Sequence, residues 1–578
     1  MLDTPTLQGR DPGEDSCQDG LSLATVADLE RLLEGIDLSR LPLHLPAGAG
    51  AVAFLGMITA YLEGRGLEPS LLQGLVGADP LGELARDGEL SLSLEAAYDQ
   101  MAAAVSWAAE NAPRLQTVFA DTSPYHQAGA HAAQELGLAL ATGSEYLRAL
   151  LDRGVEIDTA AGAIRFGFSL GSHFFMEIAK LRAARLLWDR VVECFGGGPA
   201  ARAMRIHGRT SSWTKTCYDP YVNLLRNTTE AFAAAVGGLD SLHVTHFDEA
   251  VRPADNFSRR ISRNLQAILQ EECHLTIPID PAGGSYLVEA LTDQLAQKGW
   301  EFFQELERAG GLAAALGEGL PQKACAETAA ARARNLAVRK DVLVGINLYP
   351  NLEERPLEPH EIDYPALAAE RAQAVAGVRP ARQPVLETPS VPAAAAAFAQ
   401  GHTLGQVAAA LGYQAEASRV RPLAISRAAA DYERLRRNAE QYLARNGRRV
   451  PVFLANLGPV PQHKPRADFA TGFFQVGGFA VINSPGFDDP RQAARAALDS
   501  GAPIVVICSS DAAYPQAVPP LCRAIKAERP ETIVILAGKP APEQEEAYRA
   551  AGLDDYIFIR SDCLAMLTEL QKRTGVVS

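Results

Sequence analysis

Residues 450–455, VPVFLA, begin the most regular part of a chain of 578 residues. Four further apolar runs of strand length follow, at 480–482, 504–508, 532–536 and 556–559. The segments between them have helical periodicity, at 466–476, 490–500, 512–528 and 542–551. Strands that alternate with helices in this way predict a flavodoxin-like, doubly wound parallel sheet over residues 449–578. Ligands of such sheets usually bind beyond the carboxyl ends of the strands.

The larger region before it, residues 21–375, also combines short apolar runs with long helical patterns. Strand-length runs occur at 118–120, 164–168, 204–207, 243–247 and 342–348, and helical patterns at 174–194 and 257–271. The wide spacing of strand, helix and strand predicts a parallel α/β barrel or a doubly wound sheet.

Two other segments differ in composition from these regions. Residues 1–20 are polar and acidic, which predicts a disordered N-terminus. Residues 376–402 are rich in Pro and Ala and predict an interdomain linker, and a basic helical stretch follows at 431–448. We therefore assign residues 376–448 to a linker with connecting helices.

Composition excludes several classes of protein. Apolar residues make up 47% and charged residues 21% of the chain, which is ordinary for a globular protein, and the net charge is −15. The acidic balance argues against a nucleic-acid or membrane-surface binder, since those need clustered Lys and Arg. None of the eight cysteines forms a CxxC pair, no secretory signal is present, and no apolar run approaches the ~18 residues of a membrane span. These features predict a soluble cytoplasmic enzyme or enzyme subunit.

His207 is the first candidate for chemistry. It ends one predicted strand, in the sequence HGRTSSW (207–213), and barrel enzymes place catalytic groups at the carboxyl ends of their strands. Its imidazole could donate a hydrogen bond to a substrate oxygen. From periodicity alone, a structural histidine bonded to a backbone carbonyl is the favoured interpretation.

Two polar loops have a weaker signal. DTSPYHQ (121–127) follows a predicted strand and contains Gln127, but polar loops are common. DPAGGS (280–285) contains adjacent glycines that could let a phosphate approach the backbone, although a plain tight turn is the favoured interpretation.

The first loop of the C-terminal domain, LGPVPQHKP (457–465), lacks the glycines with which such loops bind phosphates. It has one glycine and three prolines, and each proline removes a backbone N–H donor. His463 in this loop could be a metal ligand, but a surface histidine is the favoured interpretation. The residues therefore predict no metal site and a binding domain whose ligand loop, at Gln462 and His463, is degenerate.

Several long segments resemble one family of enzymes. They are FFMEIAKLRAARLLW (174–188), RTSSWTKTCYDPYVNLLRNTTEAFAAAVGG (209–238), HFDEAVRPADNFSRRISRNLQAILQEE (246–272), IDPAGGSYLVEALT (279–292) and VGINLYPN (344–351). In sequence and order they are similar to the methylmalonyl-CoA mutase family of adenosylcobalamin-dependent acyl-CoA mutases. The resemblance extends from about residue 21 to the C-terminus.

The resemblance implies a TIM-type (β/α)₈ barrel that holds the acyl-CoA, then a linker, then a flavodoxin-like cobalamin domain. It implies the radical interconversion of (R)-methylmalonyl-CoA and succinyl-CoA, in which the cofactor supplies the difficult chemistry. His207 matches the family's active-site histidine in the context RIHGRTSSW (205–213). Gln127 matches a substrate-contacting glutamine of the family, in a loop that is about two residues shorter here.

Departures from the family favour a small (β) subunit over a catalytic chain. The cobalt-binding motif DxHxxG falls on residues 460–465, where Gln462 takes the place of the histidine and Pro465 that of the glycine. His463 is one residue out of register, the glycine pair after the fourth strand is Ala537–Gly538, and the tyrosine-containing stretch TxRQYAGF has no counterpart. The resemblance therefore implies a chain in which His207 and Gln127 are vestigial and the adenosylcobalamin is bound by a large catalytic subunit.

The chain also begins close to the segment DGLSLATVADLERLL (19–33), before which the small subunits of the family usually carry many more residues. This predicts a barrel that lacks part of its first strands. Two alternative functions remain at this point. One is a self-sufficient acyl-CoA mutase with His463 as an unusual cobalt ligand. The other is a chaperone for mutase assembly, which the absence of a GxxxxGK[ST] nucleotide motif makes the weakest of the three.

Overall fold

Two parallel β-sheets organise the chain in a computed structural model that describes residues 2–378, 384–413 and 417–577. The first sheet has six strands in sequential order: β1 Leu43–Pro46, β2 Gln73–Ala78, β3 Arg114–Asp121, β4 Ile164–Leu170, β5 Arg205–Thr210 and β6 Ser241–His243. The second has five, in the order β11-β10-β9-β7-β8: β7 Pro451–Asn456, β8 Ala480–Asn483, β9 Ile504–Cys508, β10 Ile533–Ala537 and β11 Asp555–Ile557.

The helices before the second sheet are α1 Thr4–Leu7, α2 Val26–Leu32, α3 Val52–Glu63, α4 Pro80–Asp87, α5 Leu94–Asn111, α6 Ser123–Gln127, α7 Ala132–Leu151, α8 Ile157–Gly162, α9 Phe174–Cys194, α10 Val222–Val236, α11 Asn256–Ala267, α12 Tyr286–Arg308, α13 Leu312–Glu318, α14 Leu320–Ala337, α15 Tyr364–Ala376, α16 Val391–Ala399, α17 Leu404–Ala410 and α18 Ala430–Asn446. Those of the second sheet are α19 Val460–Val476, α20 Pro490–Ser500, α21 Tyr514–Glu528, α22 Pro542–Ala550 and α23 Cys563–Arg573. Short 3₁₀ and π segments cover Pro69–Leu71 and Ile268–Glu272.

The two faces of the first sheet differ in chemistry. Side chains on one face, among them Val118, Phe166 and Ile206, lie in the large apolar core that α5, α7 and α9 cover. The alternate residues face the other way, and the strand register aligns Phe119 with Arg165, and His207 with Ser241. The first face holds the domain together by apolar burial, and the second presents polar groups.

This sheet curves into half of a barrel. The ring of His44 on β1 stacks on the ring of His207 on β5 with centroids 3.8 Å apart, although three strands lie between them. The expected closed eight-stranded barrel is therefore an open half-barrel in the described part of the chain. The predicted strand at 342–348 is wrong, because Gly345 has φ +83° and its N–H donates to the Leu348 carbonyl at 2.8 Å to form a turn. The predicted strand at 243–247 ends at His243.

The second sheet has helices on both faces. Val452 and Val506 pack with Phe473 of α19 in one apolar cluster, whereas Phe453 and Val505 lie in the cluster of α20 and α21 on the opposite face. The predicted strand at 504–508 and helix at 490–500 have the observed bounds. Helix α19 instead begins six residues earlier than predicted, at Val460, and therefore includes most of the loop that was expected to be degenerate.

Two segments expected to be loose are packed in the structure. In residues 2–20, Leu2 and Asp3 are buried, and Asp11 accepts hydrogen bonds from the Thr403 hydroxyl and the Gly405 amide at 2.7 and 2.9 Å. The Ala-rich part of the predicted linker forms α16, which packs on α3. Alanine is the best helix former and its small side chain allows this close approach, so composition alone did not identify a linker there. Residues 379–383 of the predicted linker lie outside the described residues.

Candidate functional site

His207 lies inside β5 rather than at its end, because the strand continues three residues beyond the predicted boundary. Its side chain is 8% exposed, and Nδ1 lies 2.8 Å from the Ser241 hydroxyl on β6. Burial, together with the neighbouring groups His44, His243 and Arg165, lowers the pKa of His207 to about 2. The imidazole is therefore neutral at physiological pH and can exchange hydrogen bonds without acting as a cationic acid.

One face of the His207 ring is covered by the protein itself. His44 stacks on it at an interplanar angle of 24°, and the Phe119 ring lies 6.4 Å away in an edge-on arrangement. A flat group could not contact the His207 face that His44 occupies without moving β1. The geometry suits a structural histidine that joins β1, β5 and β6 across the concave face.

Gln127 is not brought to His207. It is the last residue of α6, and its backbone carbonyl accepts a hydrogen bond from the Ser426 amide at 3.2 Å. Its neighbour His126 approaches β5 instead, with Nε2 at 2.8 Å from the hydroxyl of Ser211. Among the described residues, no hydrogen bond joins the Gln127 side chain to either histidine.

A buried charged network lies beside His126 and was not found from the sequence. Lys180 Nζ lies 2.7 Å from the carboxylate of Glu135 and 2.6 Å from that of Glu177, and it donates to the Ser169 carbonyl at 2.6 Å. Lys180 and Glu135 are 0% and 1% exposed. Burial alone would raise the pKa of Glu135, but the positive charge of Lys180 holds it at about 2. The available signal was a lysine on an otherwise apolar face of helix 174–194.

A second pair of acids lies where the chain enters α4. Burial raises the pKa of Asp79 to about 7 and that of Glu83 to about 8. Glu83 is 4% exposed, and its Oε2 has no hydrogen-bond partner among the described residues. Both acids can therefore be protonated in the folded chain at a pH where they are ionised in the unfolded chain.

This arrangement predicts a pH-dependent effect of Glu83→Gln. Because the folded pKa of Glu83 lies above its unfolded value, the folded state retains a proton that the unfolded state loses, and stability falls as the pH rises from about 4.5 through about 8. The variant has no such proton. We expect its free energy of unfolding to rise relative to wild type between pH 5 and pH 8, by a few kcal/mol at most. Urea unfolding at several pH values measures this, and a pH-independent difference would contradict it.

The expected degenerate loop of the C-terminal domain is the first turn of α19. Pro459 occupies the N-cap position and Pro461 the first turn, where a missing backbone N–H costs nothing. His463 is therefore on a helix and only 6% exposed, which corrects its interpretation as a surface loop residue. Its Nδ1 donates to the Gly458 carbonyl at 2.9 Å.

Residues 462 and 463 do not match the family's cobalt-ligand position. A Cβ built on Gly486 would lie 2.8 Å from His463 Cε1, so the ring is enclosed between Gly458 and Gly486. Gln462, at the family's ligand position, points its side-chain oxygen towards Gly458, where an added Cβ would meet it at 2.5 Å. The family's ligand position therefore carries an amide instead of an imidazole, and the neighbouring histidine uses its Nδ1 on a backbone carbonyl. We derive no chemistry through a corrin here.

The remaining candidates are structural in their contacts. The glycines of the segment 280–285 form a turn in which the Gly283 amide donates to the Asp280 carbonyl at 3.2 Å, and Asp280 pairs with Arg182. Within residues 2–378, 384–413 and 417–577, no three His, Cys, Asp or Glu side chains are grouped so as to hold a metal ion. None of the helices in these ranges combines the length and the apolar character that a bilayer crossing requires.

Comparison with known proteins agrees with the motifs. A family model described as methylmalonyl-CoA mutase matches residues 1–420. The chain is 38% identical over 553 residues to the methylmalonyl-CoA mutase small subunit of Streptomyces virginiae, covering 95% of this chain and 79% of that one. It is 32% identical to the methylmalonyl-CoA mutase small subunit of Porphyromonas gingivalis, and this match covers 95% of this chain and 80% of that one. The methylmalonyl-CoA mutase large subunit of Streptomyces virginiae is 30% identical, and the match covers 95% of this chain and 80% of that one. The chain belongs to the methylmalonyl-CoA mutase family.

Proposed function

We propose that this chain is a small, non-catalytic subunit that supports the adenosylcobalamin-dependent isomerisation of (R)-methylmalonyl-CoA to succinyl-CoA in the cytoplasm. A large subunit would bind the cobalamin and the acyl-CoA and carry out the reaction. The identity values support this assignment, because within Streptomyces virginiae the small subunit is more similar than the large one.

The observation that carries the proposal is the glutamine at position 462. In a catalytic chain of the family, the resemblance implies a histidine at this position that binds cobalt. Here residues 460–465 form a helical turn, Gln462 stands at the ligand position, and the His463 ring is bonded to Gly458. The histidine that this segment does contain, His463, is one residue out of register with the ligand position and lies within α19.

The strand order supports the nature of this domain. Numbered within the sheet, β8-β7-β9-β10-β11 is the order 2-1-3-4-5 of flavodoxin-like domains. We infer that residues 449–578 are a cobalamin-type domain that has kept its architecture and lost its ligand. His207 is interpreted in the same way, since Ser241 is bonded to its Nδ1 and His44 covers one face of its ring.

An exposed apolar surface supports a protein partner. Phe175, Phe232, Tyr286 and Leu287 form what we call the α9–α12 apolar surface. The Phe174 ring lies 5.2 Å from the ring of Phe175 and 5.3 Å from that of Phe232. The exposed fractions are 51% for Phe175, 38% for Phe232, 94% for Tyr286 and 52% for Leu287. Contiguous apolar side chains of this kind mark interfaces more often than free surfaces. We assign the α9–α12 apolar surface to contact with the large subunit.

Co-expression with a methylmalonyl-CoA mutase large subunit tests this function. We expect the two chains to co-purify in equal amounts when only one carries a tag. Tyr286→Asp would place a charge in the interface and lower the recovery of the partner by about tenfold or more. Leu67→Asp is the matched control, because Leu67 is also exposed (45%) but lies after α3. This variant should recover as much of the large subunit as wild type does. A wild-type chain that purifies alone would contradict the proposal.

A further inference from the structure

A cavity lies between the two halves of the chain, away from His207 and His463. Its volume is about 480 Å³, within the range of small-molecule sites, which is roughly 300–1,000 Å³. The segment after α14 forms one wall, and α19 with the loop after β11 forms the other. Its lining includes Arg339, Tyr349, Phe469, Thr471, Gly472 and Ile559.

Arg339 gives the cavity a positive charge in a fixed orientation. Its guanidinium carbon lies 5.0 Å from the ring centroids of both Phe469 and Phe473. Across the described part of the chain, its side chain forms no salt bridge and no hydrogen bond. The aromatic faces fix the plane of the guanidinium while its N–H edge remains available, and a planar guanidinium in this state matches the two oxygens of a carboxylate.

The other charges around the cavity do not cancel this one. Asp468 also lines it, but both of its carboxylate oxygens accept from Lys464 Nζ at 2.9 Å. The Thr471 hydroxyl donates to the Ala467 carbonyl at 2.8 Å, which leaves its oxygen free to accept. Arg339 is therefore the one lining cation without a paired anion among the described residues.

Gly472, near the C-terminal end of α19, also lines the cavity. A Cβ built there would meet nothing within 4 Å, so no neighbour requires a glycine. A glycine inside a helix is less favourable than an alanine, because its backbone loses more conformational freedom on folding. The open space above it is therefore not needed for packing, and a larger side chain at this position would fill the cavity.

The remaining wall is apolar and held in an unusual conformation. Tyr349 and Ile559 are 73% and 78% exposed, and both border the cavity. Tyr349 and Arg339 each have φ +55°, in the left-handed region that non-glycine residues rarely occupy. Such backbone strain accumulates where a structure positions groups for a ligand.

We propose that this cavity binds a small organic carboxylate with a flat or extended apolar body. The carboxylate pairs with the edge of Arg339, and the apolar body lies over Gly472 between Tyr349 and Ile559. Because the two walls come from the two halves of the chain, a bound ligand would contact both halves and stabilise their association. The site is independent of the large subunit and of the proposed function.

Titration of the full chain with 2-naphthoate and octanoate, and with the neutral 2-naphthamide and octanamide, tests the site by calorimetry. We expect at least one carboxylate to bind with a dissociation constant below about 1 mM, and at least about tenfold more tightly than its amide. Arg339→Gln should weaken the carboxylate by about tenfold or more and leave the amide unchanged. Gly472→Leu should abolish binding of both while the melting temperature is maintained or raised.

Gly317→Leu is the matched control, since Gly317 is also a helical glycine whose Cβ would meet nothing within 4 Å, and it lies in α13. It should bind like wild type. Equal affinity for carboxylate and amide would overturn the proposed chemistry. Unchanged binding in Gly472→Leu, or no binding of any of the four probes, would overturn the site.

Discussion

Replacing Glu230 by alanine is expected to lower the free energy of unfolding by about 3–5 kcal/mol. Glu230 on α10 and Lys215, in the loop after β5, are both 0% exposed, with Nζ and Oε2 2.6 Å apart. Glu230 also accepts from the Thr214 hydroxyl at 2.6 Å and the Ser211 amide at 3.2 Å. The substitution leaves an ammonium ion buried without its anion and the Ser211 amide without its acceptor, and both of these costs fall on the folded state.

Urea unfolding followed by tryptophan fluorescence measures this effect. All four tryptophans, at 107, 188, 213 and 300, lie before the second sheet, so the signal reports on the half-barrel domain. Glu301→Ala is the matched control, because Glu301 pairs with Lys298 at 2.7 Å on the surface, where such pairs contribute at most about 1 kcal/mol. The double variant Lys215→Met, Glu230→Met should recover most of the loss. If Glu230→Ala and Glu301→Ala lowered the free energy of unfolding equally, the buried pair of Lys215 and Glu230 would contribute no more than a surface pair.

Local patterns of the sequence were sufficient for the regular elements. The helix Phe174–Cys194 and the strand Ile504–Cys508 have the predicted bounds, because apolar periodicity and flanking breakers are local properties. The parallel α/β class also follows from the alternation of strands and helices. The curvature that brings His44 onto His207 could not be predicted, since it depends on contacts between residues more than 160 positions apart in sequence, as their numbers show.

The environment of each candidate residue was harder to predict than its position. The sequence identified His207, but not that Ser241 and His44 occupy it. His463 was expected on a surface loop because prolines suggest one. Two of those prolines instead lie at the start of a helix, where their fixed φ is favourable, and they carry His463 into the interior. Lys180 was missed because its partners come from other elements, and only the fold brings Glu135 to it.

The second large effect concerns the cofactor. Because Gln462 holds the family's ligand position and His463 lies one residue out of register in α19, we expect the isolated chain to retain no adenosylcobalamin. The His463→Ala variant should then contain no more and no less corrinoid than wild type, because neither protein binds it. The self-sufficient mutase, with His463 as an unusual ligand, predicts the opposite for both proteins: bound corrinoid in wild type, and its loss in the variant.

The most direct test of the proposed role is the visible spectrum of the purified full chain after incubation with adenosylcobalamin and desalting. We predict no corrinoid absorbance in the isolated chain, and absorbance together with turnover of methylmalonyl-CoA once a large subunit is added. A stoichiometric corrinoid signal from the isolated chain, lost in His463→Ala, would contradict the assignment of this protein as a non-catalytic subunit.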